Sequence, residues 1–92
     1  MEKLVVYSKG SNGSTLFSVF QGKVPIFTNK EIDEFSKDLI REYPDICEKI
    51  ADIYDSDFSI DFPDEINLKQ VDQTPRNELV KEIHLKVRQQ KV

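Results

Sequence analysis

Residues 4–27 read LVVYSKGSNGSTLFSVFQGKVPIF and contain three short apolar runs separated by two turn signals. The runs are rich in β-branched and aromatic residues, which favour strands. They cover residues 4–8, 15–21 and 24–27. The Asn12-Gly13 pair suits a turn with positive φ, and Gly22 marks the second turn. This stretch predicts three consecutive strands in a β-meander.

The second of these strands carries apolar side chains on both faces. Leu16 and Phe20 fall on one face, whereas Phe17 and Val19 fall on the other. Such a strand is typical of the middle of a sheet, unless its outer face meets a partner.

Helical patterns follow the meander. Thr28 and Glu31 form a T-x-x-E capping box, which predicts the start of a first helix. Pro44 ends that helix and suits the first turn of a second, which runs to about residue 54. Thr74-Pro75 predicts the start of the last helix. The predicted inward residues are Ile32, Phe35, Leu39, Ile40 and Tyr43, then Ile46, Cys47, Ile50, Ile53 and Tyr54, and finally Leu79, Val80, Ile83 and Val87.

Two further strands are predicted between the second and last helices. Phe58, Ile60 and Phe62 alternate with polar residues, and after a turn Ile66 and Leu68 do the same. The order is therefore βββ-αα-ββ-α. It predicts one small α+β domain over residues 1–92, with a largely antiparallel sheet and helices packed on one face.

Composition limits the class of protein. The chain has 92 residues, which is the size of one domain. It has no apolar run long enough to span a membrane, and its first residues lack the long apolar region of a signal peptide. Cys47 is the single cysteine, so no internal disulfide can form. These features favour a cytoplasmic protein.

Charge is sorted along the chain, whose net charge is −4. Residues 1–30 carry four Lys and one Glu, and residues 66–92 carry six Lys or Arg and three acids. Residues 31–65 carry 13 Asp or Glu and three Lys or Arg. Almost all of the acid therefore lies in the middle of the chain.

At 100° per residue, this acid forms a narrow stripe on each of the first two helices. The stripes are Glu31, Glu34, Asp38 and Glu42 on the first helix, and Asp45, Glu48, Asp52 and Asp55 on the second. If both faced the same way, they would present one charge per about 2–3 Å, which approaches the one per about 1.7 Å of duplex DNA. Alternatively, they are ordinary solvated faces diluted by Lys37, Arg41 and Lys49.

No catalytic or cofactor motif is complete. Residues 55–66 begin like an EF-hand loop, but Ile60 replaces the required Gly and Ile66 the bidentate Glu. Pro63-Asp64 lacks the Glu-x-Lys of metal-dependent nucleases, and residues 10–15 precede a strand, unlike a phosphate-binding loop. We therefore expect no catalytic residue, no metal site and no cofactor.

The leading hypothesis is a non-enzymatic protein-binding module whose acidic helical face occupies a basic surface of a partner protein. Small nuclease inhibitors, phage-encoded inhibitors and toxin-immunity proteins have similar size and charge, so the assignment is by analogy. The residues predicted to contact the partner are Glu34, Asp38, Glu42, Asp45, Glu48, Asp52, Asp55, Asp57, Asp61 and Asp64.

Three alternatives stay open. An accessory subunit could bind nucleic acid through Lys9, Lys23 and the basic last helix, although phosphate repels an acidic chain at long range. A small enzyme or metal protein could use the acids between residues 55 and 64. A structural subunit could bury the two-faced second strand by self-association. The oligomeric state is not predicted.

Overall fold

The structure is a computed structural model that describes residues 3–57 and 62–90. Within these residues the elements follow the order βββ-αα-β-α, which confirms the predicted α+β class. The elements are β1 (Leu4–Ser11), β2 (Ser14–Gln21), β3 (Val24–Lys30), α1 (Ile32–Glu42), α2 (Pro44–Asp57), β4 (Ile66–Gln70) and α3 (Gln73–Gln89).

The strands form one sheet in the order β3-β2-β1-β4. β1 and β2 pair antiparallel, with Leu4 opposite Gln21 and Ser11 opposite Ser14. β3 is antiparallel to β2, while β4 lies parallel to β1 along its other side. The predicted meander is confirmed, and β2 lies inside the sheet, as its two apolar faces indicated.

The two hairpin turns have the backbone that their residues predict. Asn12 and Gly13 have φ angles of 49° and 80°, and Gly22 has a φ of 61°. Glycine and asparagine adopt this left-handed region at low cost, so the tight turns fix the register of the meander.

The helices cover one face of the sheet and share a core with it. Leu4 and Val6 of β1 are buried, as are Phe17 and Val19 of β2. The rings of Phe17 and Phe35 stack with centroids 5.4 Å apart, which joins β2 to α1. The buried helix residues include Phe35, Leu39, Ile40, Cys47, Ile50, Ala51, Leu79, Val80, Ile83 and Val87.

The start of the first helix differs from the prediction. Thr28 lies within β3, and α1 begins at Ile32 with Glu31 as N-cap and no side-chain capping hydrogen bond. The predicted capping box is wrong because pairing of Lys30 with Phe17 continues the strand past Thr28.

β4 corresponds to the second of the two strands predicted between α2 and α3. The first, predicted at Phe58, Ile60 and Phe62, falls mainly on residues 58–61, which lie outside the described residues. Phe62 itself is described, is not in a strand, and packs against the core.

Two leucines on α3 give a matched test of this packing. Leu79 is fully buried, whereas Leu85 is 51% exposed. We expect Leu79→Ala to lower the free energy of unfolding by about 2–5 kcal/mol, because it leaves a cavity in the core. Leu85→Ala should change it by less than about 0.5 kcal/mol. Urea denaturation of both variants checks this, and equal effects would contradict the placement of α3.

Candidate functional site

Charge is unevenly distributed along the chain, and in the fold it is also unevenly distributed between the sheet and the helices. Residues 3–30 and 66–71, which build the sheet, contain five Lys and no Asp or Glu. Residues 31–57, which contain α1 and α2, hold ten Asp or Glu and three Lys or Arg. The sheet layer is therefore basic and the helical layer acidic.

Arg88 of α3 contacts three carboxylates of the α2 stripe. Its Nη2 atom lies 2.9 Å from Asp52 Oδ1 and 2.5 Å from Asp55 Oδ2, and its Nη1 atom lies 3.5 Å from Glu48 Oε1. Hydrogen bonds to Asp52 and Asp55 raise the pKa of the guanidinium. This stripe therefore faces α3 and is partly neutralised within the chain.

His84 lies one helical turn before Arg88 and contacts the second oxygen of Asp55. Its Nε2 atom is 2.6 Å from Asp55 Oδ1, and its ring centroid is 4.8 Å from that of Tyr54. Hydrogen bonds from Arg88 and His84 lower the pKa of Asp55. A carboxyl with a lowered pKa stays ionised at neutral pH, so this cluster joins α2 to α3 by charge.

The α1 stripe pairs with other cations. Lys30 Nζ, at the end of β3, lies 3.1 Å from Glu34 Oε1 and 3.4 Å from Asp38 Oδ2. Arg41 lies 3.0 Å from Asp38 and 3.4 Å from Glu42. Hydrogen bonds to Glu34 and Asp38 raise the pKa of Lys30.

The two stripes have different cationic neighbours: Lys30 and Arg41 pair with the α1 stripe, and Arg88 of α3 pairs with the α2 stripe. Lys86 Nζ lies 2.9 Å from Asp33 Oδ1 on α1 and also pairs with Glu82, whereas Arg88 pairs with α2. Residues two apart on a helix differ by 200° of arc, so Lys86 and Arg88 leave nearly opposite sides of α3. Pairing with cations of this chain partly neutralises three acids of each stripe and lowers their charge density below that of unpaired stripes.

An apolar groove of about 330 Å³ lies where α2 begins, beside the ends of β1 and β2. Leu4, Tyr43 and Ile46 supply its apolar surface, and Asp64 and Glu65 supply carboxylates. Its remaining lining residues are Lys3 and Gln21. The groove joins apolar surface to two acids and one lysine.

One lysine lies among the acids near this groove. Lys49 Nζ is 2.5 Å from Glu65 Oε2, and Glu65, followed by the more distant Asp45 and Asp64, raises its pKa. Asp45 and Asp64 are exposed and form no salt bridge with any described residue. Their charge is therefore less compensated than that of the stripe acids that pair with Lys30, Arg41 and Arg88.

The ten residues predicted to contact a partner thus occupy several places in the fold. Glu48, Asp52 and Asp55 surround Arg88, Glu34, Asp38 and Glu42 lie beside Lys30 and Arg41, and Asp45 and Asp64 lie near the groove. Asp57 is the last residue of α2, and Asp61 lies outside the described residues.

The groove itself is not predicted from the sequence. Tyr43 and Ile46 match the apolar periodicity of helices, which predicts only that they face inward. They remain half-buried because Tyr43 lies at the junction of α1 and α2. The proximity of Leu4 depends on the sheet, so no local signal could have shown it.

Cys47 is buried, as predicted. Burial raises the pKa of its thiol to about 12, which keeps it protonated at neutral pH. Among residues 3–57 and 62–90, no three His, Cys, Asp or Glu side chains are placed to hold a metal ion.

The chain matches no protein-family model, and comparison with curated proteins and with solved structures gives no match. Of the described helices, none is both long and apolar enough to cross a membrane.

The contact between Arg88 and Asp55 predicts a pH dependence. Because the pKa of Asp55 is lowered by folding, its contribution to stability is present above the ordinary pKa and is lost as the pH falls through the folded value. Arg88→Gln should therefore raise the pKa of Asp55 and destabilise the fold more at neutral pH than in acid. Carboxyl NMR titration and urea denaturation at both pH values check this.

Lys81→Gln is the matched control, since it removes one cation from an exposed position of the same helix. It should leave the pKa of Asp55 unchanged. An ordinary pKa for Asp55 in the unmodified protein would contradict the contact.

Proposed function

We propose that this chain is a non-enzymatic protein-binding module that acts in the cytoplasm and binds a basic surface of a partner protein. The observation that carries the proposal is the apolar groove lined by Asp64, with Asp45 next to its lining residue Ile46; both acids are exposed and form no salt bridge with a described residue. We name these features together the groove site: Leu4, Tyr43, Ile46, Asp45, Asp64 and Glu65.

The groove site has the composition of a protein-docking site. Binding energy in protein interfaces concentrates where an apolar side chain enters a pocket, while charges at the rim guide association and orientation. Tyr43 and Ile46 offer the apolar contact, and Asp64 offers charge beside it. The complementary partner segment is an apolar side chain flanked by Lys or Arg.

The remaining acids contribute differently. A partner that bound Asp52 or Glu34 directly would have to compete with Arg88 or Lys30 of this chain. These residues therefore add to the negative field that steers a basic partner and supply few direct contacts. For this reason we place docking at the groove site rather than along a surface that imitates a nucleic-acid backbone.

By analogy of size and charge, the module is of the inhibitor or immunity type, like phage-encoded inhibitors and toxin-immunity proteins. The partner's basic surface would be one that normally binds nucleic acid. Occupying it would block that binding without any chemical step by this chain.

Two charge reversals of equal size test the proposal. Asp45→Lys/Asp64→Lys changes the groove site, whereas Glu31→Lys/Glu78→Lys changes exposed acids beside the β1–β2 turn, at the other end of the sheet. Each pair includes one acid at the start of a helix. Affinity capture from host lysate, at two salt concentrations, should recover a stoichiometric basic protein with the unmodified chain and the control. The groove variant should bind it at least about tenfold more weakly.

Calorimetry with the purified partner then completes the test. Ile46→Ala, made alone in the unmodified chain, should also weaken binding, because it removes apolar contact inside the groove. Equal affinity for both double variants, or the absence of any stoichiometric partner, would refute the groove site.

A further inference from the structure

The sheet face opposite the helices is apolar, aromatic and basic. Antiparallel register places Val5 opposite Phe20 and Lys9 opposite Leu16 on this face. Tyr7 lies between Val5 and Lys9 on β1 and is 43% exposed. No described element covers this surface, which we name the open face.

Two aromatic rings form the centre of the open face. Tyr7 and Phe20 meet edge to face, with centroids 5.5 Å apart and an interplanar angle of 89°. With Gly22 they border a shallow depression of about 300 Å³. The exposed ring of Tyr7 and the half-buried ring of Phe20, beside a shallow depression, offer a stacking surface for a flat ring.

Cations lie at both ends of this aromatic pair. Lys9 is two residues from Tyr7 on the same side of β1, and Lys23 follows Gly22 in the turn beyond Phe20. Lys23 is exposed in the turn beyond Phe20, and Lys9 lies about 7 Å from Tyr7 along β1, since that is the span of two residues in a strand. That span is comparable with one nucleotide of an extended strand.

No acid of the described part of the chain neutralises these lysines. The four strands contain no Asp or Glu, and within the described residues Lys9 and Lys23 form no salt bridge. By contrast, Lys86 and Arg88 of α3 are held by acids of the neighbouring helices. Cationic surface available to a ligand therefore lies on the sheet rather than on the C-terminal half of α3.

We propose that the open face binds single-stranded nucleic acid, with bases stacked on Tyr7 and Phe20 and phosphates at Lys9 and Lys23. Aromatic side chains accept any base by stacking, and lysines beside them contact the backbone without selecting a sequence. The site is separate from the groove site, so the two ligands do not compete for the same residues.

A second copy of this chain is the other candidate occupant, because its helical layer is acidic. The observations favour nucleic acid over it. Six of the eight stripe acids of that layer are already engaged with Arg88, Lys30 or Arg41, which leaves fewer of them to meet a second molecule. The paired rings beside a shallow depression also suit a flat base.

The test measures fluorescence anisotropy of labelled oligothymidylate and oligouridylate of about ten nucleotides against the full chain, over a range of salt. Two phosphate contacts predict that log K falls with log salt at a slope near −1.4. Lys9→Glu should weaken binding at least about tenfold and reduce the slope by roughly 0.7. Lys81→Glu, an equal charge change on the opposite layer, should leave both unchanged.

Stacking is tested at Tyr7, which is exposed enough to be replaced without disturbing the core. Tyr7→Ser should weaken binding about tenfold or more, while Tyr7→Phe retains it. The chain has no Trp, so Tyr7→Trp introduces a single reporter whose fluorescence should be quenched by the oligonucleotide. Tighter binding of oligouridylate identifies RNA as the ligand, and tighter binding of oligothymidylate identifies DNA.

Three results would overturn the proposal. The first is the absence of binding at low salt, and the second is equal weakening by Lys9→Glu and Lys81→Glu. The third is concentration-dependent self-association in sedimentation that Lys9→Glu abolishes without oligonucleotide present, since a second copy would then occupy the open face.

Discussion

The packing of α3 against both α1 and α2 is the contact on which the rest of the structure depends. Leu79 and Ile83 of α3 are fully buried in the core, and this packing fixes the rotation of the helix about its own axis. That rotation directs Lys86 to α1 and Arg88 to α2. Because exposed ion pairs contribute little free energy singly, the apolar side chains set the position of α3 and the ion pairs follow from it.

With α3 in this position, some acids of the helical layer pair with cations of the chain and others remain available to bind a partner. The acids around Arg88 and beside Lys30 are engaged within the chain, whereas Asp45 and Asp64 lie beside an apolar groove with no salt bridge to a described residue. The sheet layer has the opposite charge, and its lysines at positions 9 and 23 have no acid on their own layer. One small domain therefore presents two surfaces of opposite charge, and we assign a different ligand to each.

Much of the fold follows from local sequence. The Asn12-Gly13 turn and the alternation of β2 predict the meander, and the spacing of Leu79, Val80 and Ile83 predicts α3. The capping box predicted at Thr28 is wrong because strand pairing, a tertiary interaction, outweighs the local capping preference. The parallel pairing of β4 with β1 has no local signal either, since alternation shows which side chains face inward but not which strand lies alongside.

The candidate site was less predictable than the fold for the same reason. Helical periodicity identified both acidic stripes, and the cations that pair with the α1 stripe are its sequence neighbours Lys30 and Arg41, but Arg88, which faces the α2 stripe, comes from a distant part of the chain. Arg88 engages Glu48, Asp52 and Asp55, while Asp45 and Asp64 form no salt bridge with a described residue. Urea denaturation of Asp52→Lys/Asp55→Lys beside Asp45→Lys/Asp64→Lys tests this difference most directly, because both variants change the net charge equally. We expect a clearly lower midpoint for the first variant, through repulsion of Arg88, and a smaller decrease for the second, in which only the first turn of α2 loses a favourable acid. Equal midpoints would contradict this expectation.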